Sequence, residues 1–258
     1  MCRMLAYLGN NILLSRLLLL PEHSLEKQAW QPKELRETKL NADGYGYAWY
    51  TESNDNAFVY KQILPIWNDP NLNALSNSMQ QPLWMAIVRS ATIGLGVSHD
   101  NTPPFTHQKW SYMHNGYLLN FDTEFRHKFR NQLEDKYHSL IKGNTDSEYI
   151  FALLLQQLDT HSPVEAIKVC MEIISKILKS NRALLNIALS DGERIYATRH
   201  AINGESPTLY YCNNSQEFGD DNQIVASEKL NAEDCWTAVD EHEIIVLQKQ
   251  KPAQTINL

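Results

Sequence analysis

Cys2 directly follows the initiator Met1, so removal of Met1 leaves one residue carrying both a thiol and a free α-amine. The thiolate is the nucleophilic form of cysteine, and a free thiol with a pKa of about 8.5 is mostly protonated near neutral pH. An α-amine titrating at about 7.7–8.0 can take that proton, directly or through a water, and no histidine partner is then required. Taken alone, a cysteine in second position is compatible with chance. Four patches downstream supply what acyl-transfer chemistry at that thiol would need.

The first is Asn41-Ala42-Asp43-Gly44-Tyr45-Gly46, whose glycines permit close approach of a backbone or a substrate. It reads equally as the glycine-rich start of a strand. Next, Arg89-Ser90-Ala91-Thr92 ends an apolar run, where an arginine can grip a carboxylate in a bidentate fork or simply form a structural salt bridge. His114-Asn115-Gly116 offers a side-chain NH₂ and a bare backbone N–H, two donors that could meet one developing oxyanion. Asn-Gly is also a common tight hairpin turn, and on local grounds the turn is expected here. Asp146 could bind a substrate ammonium, although an acid in the first turn of a helix is favoured by the helix dipole alone. His99, His107 and His114 do not fall into a His-Glu-x-x-His or Cys/His ligand spacing, so no metal and no cofactor is expected.

The chain that must position these residues has 258 amino acids, enough for one large domain or two small ones. Its formal charge of −7 argues against nucleic acid or an anionic membrane as the main partner. Cys2, Cys170, Cys212 and Cys235 are scattered without a Cys-x-x-Cys pair, which suits reduced thiols in a cytoplasmic compartment. Ile12–Leu20 is interrupted by Arg16 and lacks a small-x-small cleavage site, so a short buried helix is expected rather than a signal peptide or a membrane span.

Strands are expected at Gly44–Tyr50, Ala57–Ile63, Leu83–Arg89 and Lys109–His114, with a polar, proline-containing loop from Ser98 to Gln108. Thr145-Asp146-Ser147-Glu148 has the form of a capping box opening a helix through Tyr149–Leu158. Pro163 starts a second helix to about Lys179, with Val164, Ile167, Met171, Ile174 and Leu178 on one stripe. Ala183–Leu189 and Arg194–Thr198 flank Asp191-Gly192, a strong hairpin signal. Thr208–Cys212, Gln223–Ala226 and Glu243–Gln248 complete the strands. Strands, two helices and then antiparallel strands predict an α+β protein layered helix, sheet, sheet, helix.

Taken in order, MCRMLAYLG, NADGYGYAW, VRSATIG, HNGYLLN and NTDSEY resemble the class II glutamine amidotransferases of the N-terminal-nucleophile hydrolase superfamily. The resemblance implies one amidotransferase domain over 1–258, with its motifs within 2–150, and a four-layer αββα sandwich of two antiparallel sheets. It also implies a γ-glutamyl thioester on Cys2, with Asn115 and Gly116 as the oxyanion hole. Arg89 would hold the substrate α-carboxylate with help from Thr92, and Asp146 the α-ammonium. Asp43, Gly44 and His114 stand in the same motifs and are expected to support those residues.

Arg3, Ser90 and Ile93 depart from the synthase-linked members, which carry Gly, Trp and often His there, so ammonia channelling to a synthetase domain is not expected. MCRMLAYLG, the PIWND at Pro65–Asp69, RSATIG and the VASEKL at Val225–Leu230 resemble instead the stand-alone branch. Within it the likeness is to the ergothioneine-pathway γ-glutamyl amidohydrolases, which remove glutamate from a γ-glutamyl hercynylcysteine sulfoxide. Related stand-alone members act in glutathione degradation with a partner protein. A small γ-glutamyl metabolite is therefore the expected partner, and the alternatives are a glutaminase subunit feeding ammonia to a separate synthetase or a glutathione-degradation amidotransferase subunit. The sequence specifies neither a homo-oligomer nor a synthetase partner. An inactive binding module would be expected to lack Cys2, Arg89, Asn115 or Asp146, and all four are present. Active protein is expected to begin at Cys2, which intact-mass measurement checks; full activity from material that uniformly retains Met1 would rule out the amine-assisted thiol.

Overall fold

The computed structural model describes residues 1–34, 40–91 and 96–258. In the first half the strands are β1 (Arg3–Leu13), β2 (Tyr45–Thr51), β3 (Asn54–Gln62), β4 (Gln80–Val88), β5 (Phe105–His107) and β6 (Trp110–Leu118). The second half contributes β7 (Ala183–Ser190), β8 (Arg194–Arg199), β9 (Ala201–Ile202), β10 (Tyr210–Asn213), β11 (Gln223–Ala226), β12 (Trp236–Ala238), β13 (Glu243–Gln248) and β14 (Gln254–Asn257). Short helices α1 (Ser15–Leu18), α2 (Leu25–Trp30), α3 (Leu72–Ser78), α4 (Arg126–Arg130) and α5 (Asp135–His138) precede the long pair α6 (Asp146–Leu158) and α7 (Pro163–Leu178).

One sheet runs β12-β10-β11-β1-β4-β2-β3 and the other β14-β13-β8-β7-β6-β5, with β9 added beside β7. The pairings described are antiparallel. Side-chain alternation along the strands separates three cores. On β1, Met4, Ala6 and Leu8 face the other sheet and meet Met85, Ile87, Met113 and Ala188. Leu5 and Tyr7 face outward, where Leu17, Leu25, Ala29 and Leu72 of the short helices cover them. On the second sheet Leu185, Ile187 and Leu189 face outward against Ile150, Leu154, Ile167 and Ile174 of the long helices. Three apolar seams between four layers are the expected αββα sandwich.

Both long helices begin as the sequence reading expects. Thr145 accepts from Glu148 N–H while the Glu148 side chain accepts from Thr145 N–H, a complete capping box. Ser162 caps α7 ahead of Pro163, and Ile167, Met171, Ile174 and Leu178 are buried along its stripe. Three expectations are corrected. Ile12–Leu20 is not one helix, because β1 runs through Leu13 and only Ser15–Leu18 is helical. A β1 flanked on both sides by β11 and β4 satisfies its backbone by pairing.

The second correction concerns Asn115-Gly116, which is not a turn but lies inside β6, opposite Asn186 and Leu185. The chain reverses earlier instead, at Gln108, which takes φ +51° between β5 and β6. Third, Cys212 and Cys235 are not free thiols. They form a disulfide, because pairing of β10 with β12 sets Cys212 opposite Trp236 and brings the two cysteine Cα atoms within 5.1 Å. No helix among the described residues is long and apolar enough to cross a membrane.

Thr145→Ala removes the side-chain half of the capping box at the turn that carries Asp146. It is expected to cost about 1 kcal/mol, seen as a lower urea midpoint at unchanged slope. An unchanged midpoint would show that the cap contributes nothing.

Candidate active site

Strand register brings the expected residues together. β1 pairs with β4 so that Arg3 stands opposite Val88, which places Cys2 beside the end of β4, and the Cys2 thiol points at Ser90 O, 3.8 Å away. β2 pairs on the other edge of β4, with Tyr45 opposite Val88. Beyond that pair, Arg89 N–H donates to Gly44 O (2.8 Å) and Asp43 N–H donates to Arg89 O (3.0 Å). Gly44 takes φ +106°, and a Cβ there would lie 2.7 Å from Gln62 O, so the glycine is required. Asp43 Oδ2 accepts from Ala91 N–H at 2.7 Å and ties down the chain after Arg89.

Arg89 is buried, yet backbone carbonyls hold it: Nη1 donates to Asp43 O at 3.3 Å and Nη2 to Gly96 O at 3.4 Å. No carboxylate among the described residues lies within ion-pair distance of it. Among the described residues no salt bridge explains this arginine. Burial pushes its guanidinium below the ordinary value, against the opposing pull of Cys2, Asp43, Asp146 and Glu148.

Asp146, the first residue of α6, reaches back to β6. Its Oδ2 accepts from Leu118 N–H at 2.7 Å, while Oδ1 accepts from Ser147 N–H at 2.7 Å and from Ser147 Oγ–H at 3.1 Å. The His114 ring joins the same group, with Nε2 donating to Leu184 O at 2.8 Å and Nδ1 at 3.0 Å from Ser147 Oγ. Gly116 is sterically obligatory, since a Cβ there would sit 1.8 Å from Leu184 O and 2.5 Å from His114 Nε2. Asn115 is fully buried; its Nδ2 donates to Ser227 Oγ at 3.3 Å and its Oδ1 has no hydrogen-bond partner.

Cys2, Arg89, Ser90, His114, Gly116 and Asp146 line one pocket, whereas Asn115, Asp43 and Gly44 are not among its lining residues. Thr92 lies outside the described residues. Asn101, Pro103, Phe105, Thr145 and Ser147 line the pocket as well and were not singled out as site residues from the sequence. Asn101 braces the rim, donating to Gly96 O (2.9 Å) and accepting from Asn144 N–H (3.0 Å). Its only sequence signal is its place in a polar loop, which is generic. Phe105 also walls a neighbouring cavity of about 410 Å³ that contains Lys61. Burial lowers the Lys61 ammonium to about 8, against the opposing pull of Glu148 and Asp100. Among the described residues no group of three or more His, Cys, Asp or Glu side chains could hold a metal ion. A thiol, a carbonyl-held cation and a carboxylate around one pocket can orient a zwitterionic amino-acid head beside a nucleophile.

Residues 21–219 match the family model of the class II glutamine amidotransferases. The chain belongs to that family. A Saccharomyces cerevisiae protein described as probable glutamine amidotransferase DUG3 is 34% identical over 296 aligned positions, spanning 97% of this amidotransferase and 82% of the yeast chain. The γ-glutamyl-hercynylcysteine sulfoxide hydrolase of Mycobacterium tuberculosis is 33% identical over 118 positions, 45% of this chain and 49% of its own. Among solved structures, a class II amidotransferase-domain protein from Silicibacter pomeroyi superposes with a TM-score of 0.73 at 23% identity, covering 99% of both chains. The glutamine phosphoribosylpyrophosphate amidotransferase of B. subtilis gives 0.65 at 15% identity, covering 99% of this chain and 49% of the other. These two likenesses establish the fold.

On the far face of β1, this amidotransferase carries a buried charge cluster. Arg3 Nη1 lies 3.3 Å from Glu228 Oε1, and His23 Nε2 lies 2.7 Å from Oε2. Lys33 and Glu34 N–H groups donate to the same carboxylate at 2.8 and 3.2 Å. Burial alone would raise the Glu228 carboxyl, but His23, Lys33 N–H, Arg3 and Glu34 N–H outweigh it and hold it below its ordinary 4.5. A carboxyl depressed on folding contributes stability that is complete above the unfolded value and is lost as pH falls through the folded one. Glu228→Gln leaves Arg3 buried without its counter-charge and is expected to cost about 3–5 kcal/mol at neutral pH. The gap to the unaltered protein should narrow as pH drops below the unfolded carboxyl value, followed by denaturant unfolding across pH. A gap that stays constant into acid would detach the cost from the carboxylate's charge.

Proposed function

We propose that residues 1–258 form one γ-glutamyl amide hydrolase that works, after loss of Met1, through a γ-glutamyl thioester on Cys2. The observation that carries the reading is the meeting of Cys2, Arg89 and Asp146 in one pocket, with Arg89 held by carbonyls and its charge left for a ligand. In this reading the Cys2 α-amine takes the thiol proton and Sγ attacks the γ-carbonyl. Gly116 N–H and the Asn115 carboxamide hold the oxyanion. Collapse of the tetrahedral intermediate expels the amine, which receives its proton from the α-ammonium. Water then cleaves the thioester and glutamate leaves. Arg89 and Asp146 grip the α-carboxylate and α-ammonium, and Thr92 assists at the carboxylate.

The reading extends to a substrate larger than glutamine, of the γ-glutamyl hercynylcysteine sulfoxide type. Support comes from the hydrolases of that substrate that share 33% identity over part of the chain, and from the cavity beside the pocket behind Phe105. A second reading, a glutamine-directed amidotransferase subunit, is favoured by the yeast relative, whose match spans nearly the whole chain. The test is a hydrolysis panel of γ-glutamyl amides, α-glutamyl amides and glutamine with Met1-processed protein. Strict preference for the L-γ-glutamyl linkage, tolerance of the leaving amine and poor turnover of glutamine are expected. Cys2→Ala should abolish turnover with the fold intact, and Arg89→Lys should cost activity because Lys lacks the guanidinium fork. Equal rates on α- and γ-linked amides would remove the clamp, and a clear preference for glutamine would favour the ammonia-donating reading.

A further inference from the structure

The late VASEKL motif contributes more than its glutamate. Ser227 follows β11 and is fully buried. Its backbone N–H donates to Met4 O at 2.9 Å, as the β1–β11 ladder requires. The reciprocal bond is not made by its carbonyl, which accepts instead from Thr208 Oγ1–H at 2.9 Å. Met4 N–H donates to Ser227 Oγ at 3.1 Å, so the side chain occupies the ladder position that a carbonyl ordinarily takes. The same Oγ receives Asn115 Nδ2 at 3.3 Å. One hydroxyl thus joins the strand of the nucleophile to the residue assigned to the oxyanion.

A serine hydroxyl offers one hydrogen and two lone pairs. Here Met4 and Asn115 fill both lone pairs, none of the hydrogen bonds described uses the hydroxyl hydrogen, and Asn115 Oδ1 is buried without a donor. A half-turn of the Asn115 carboxamide, whose two ends are alike in shape, resolves both deficits. Ser227 Oγ–H then donates to Oδ1 while still accepting from Met4 N–H. The carboxamide NH₂ then takes the buried position that Oδ1 held, on the side away from Ser227.

We propose that Ser227 is a positioning residue for catalysis, fixing the Asn115 carboxamide by donating to Oδ1 so that the NH₂ faces the scissile carbonyl. The inference rests on the amide-hydrolysis reading above. Its effect falls on the developing oxyanion and not on the glutamyl head, so it belongs to kcat rather than to substrate affinity.

A double-mutant cycle on a γ-glutamyl amide substrate tests it, with kcat, KM and the inhibition constant of product glutamate read for each variant. Asn115→Ala is expected to lower kcat by about 10²–10³-fold. Ser227→Ala should lower it about tenfold or more, a hydrogen-bond-sized loss, with KM and glutamate inhibition within about twofold. The double variant should be no slower than Asn115→Ala alone. Ser227→Cys keeps the side chain's shape while replacing the hydroxyl by a weak donor, and it serves if the alanine variant does not fold. Additive losses would place the effect on the β1 strand through Met4 and overturn the proposal, as would an unchanged kcat in Ser227→Ala or Ser227→Cys. Full kcat in Asn115→Ala would instead overturn the oxyanion reading on which the proposal stands.

Discussion

Antiparallel pairing of β1 between β11 and β4 is the constraint on which the site depends. Strand pairing fixes register to the residue, and a slip of one would send every side chain of β1 to the opposite core. In the observed register Cys2 lies beside the end of β4, Arg89 follows the last paired residue of that strand, and Gly44 meets Arg89 across the next ladder. On the other side Met4 meets Ser227. The Cys2 thiol, the Arg89 guanidinium and the Ser227 hydroxyl are therefore placed by backbone hydrogen bonds rather than by long flexible side chains. The second sheet contributes through β6, and α6 brings Asp146 to the same point by bonding to Leu118 N–H.

Two arginines at the same sheet end illustrate how surroundings divide one residue type between tasks. Arg3 faces the outer layer, where Glu228 neutralises it and His23 completes the cluster, so its charge is spent on structure. Arg89 is nearly as buried but is held by neutral carbonyls, and no carboxylate among the described residues lies close to its charge. An ion pair of the first kind costs much to break but adds little when whole. A buried cation of the second kind is poised for an anionic ligand. The identity of the residue is the same, and the acceptors decide the role.

What could be read from the chain was what is encoded locally. The capping box at Thr145, the stripe on α7 and the Asp191-Gly192 hairpin depend on neighbours within a few residues, and they stand as expected. The site motifs were legible through their order, and Cys2, Arg89, Gly116 and Asp146 do share a pocket. Asn115-Gly116 misled because its local preference for a turn is overridden by pairing with β7, and the glycine serves close approach to Leu184 O instead. β1 was hidden by a leucine-rich tail with helical character. Ser227 stood in the VASEKL stretch without a role of its own, since its meaning lies in partners 112 and 223 residues away.

The Cys212–Cys235 bond takes on a wider meaning in that setting. Neither sulfur lines the pocket, but the 23-residue separation they close contains all of β11 together with Ser227 and Glu228. The segment that meets β1 is thus part of a covalent ring anchored at the edge of the sheet. Closing a ring of this size removes about 3 kcal/mol of freedom from the unfolded chain. Thiol–disulfide exchange at that remote edge therefore bears on how firmly the Cys2 end of the sheet stays assembled.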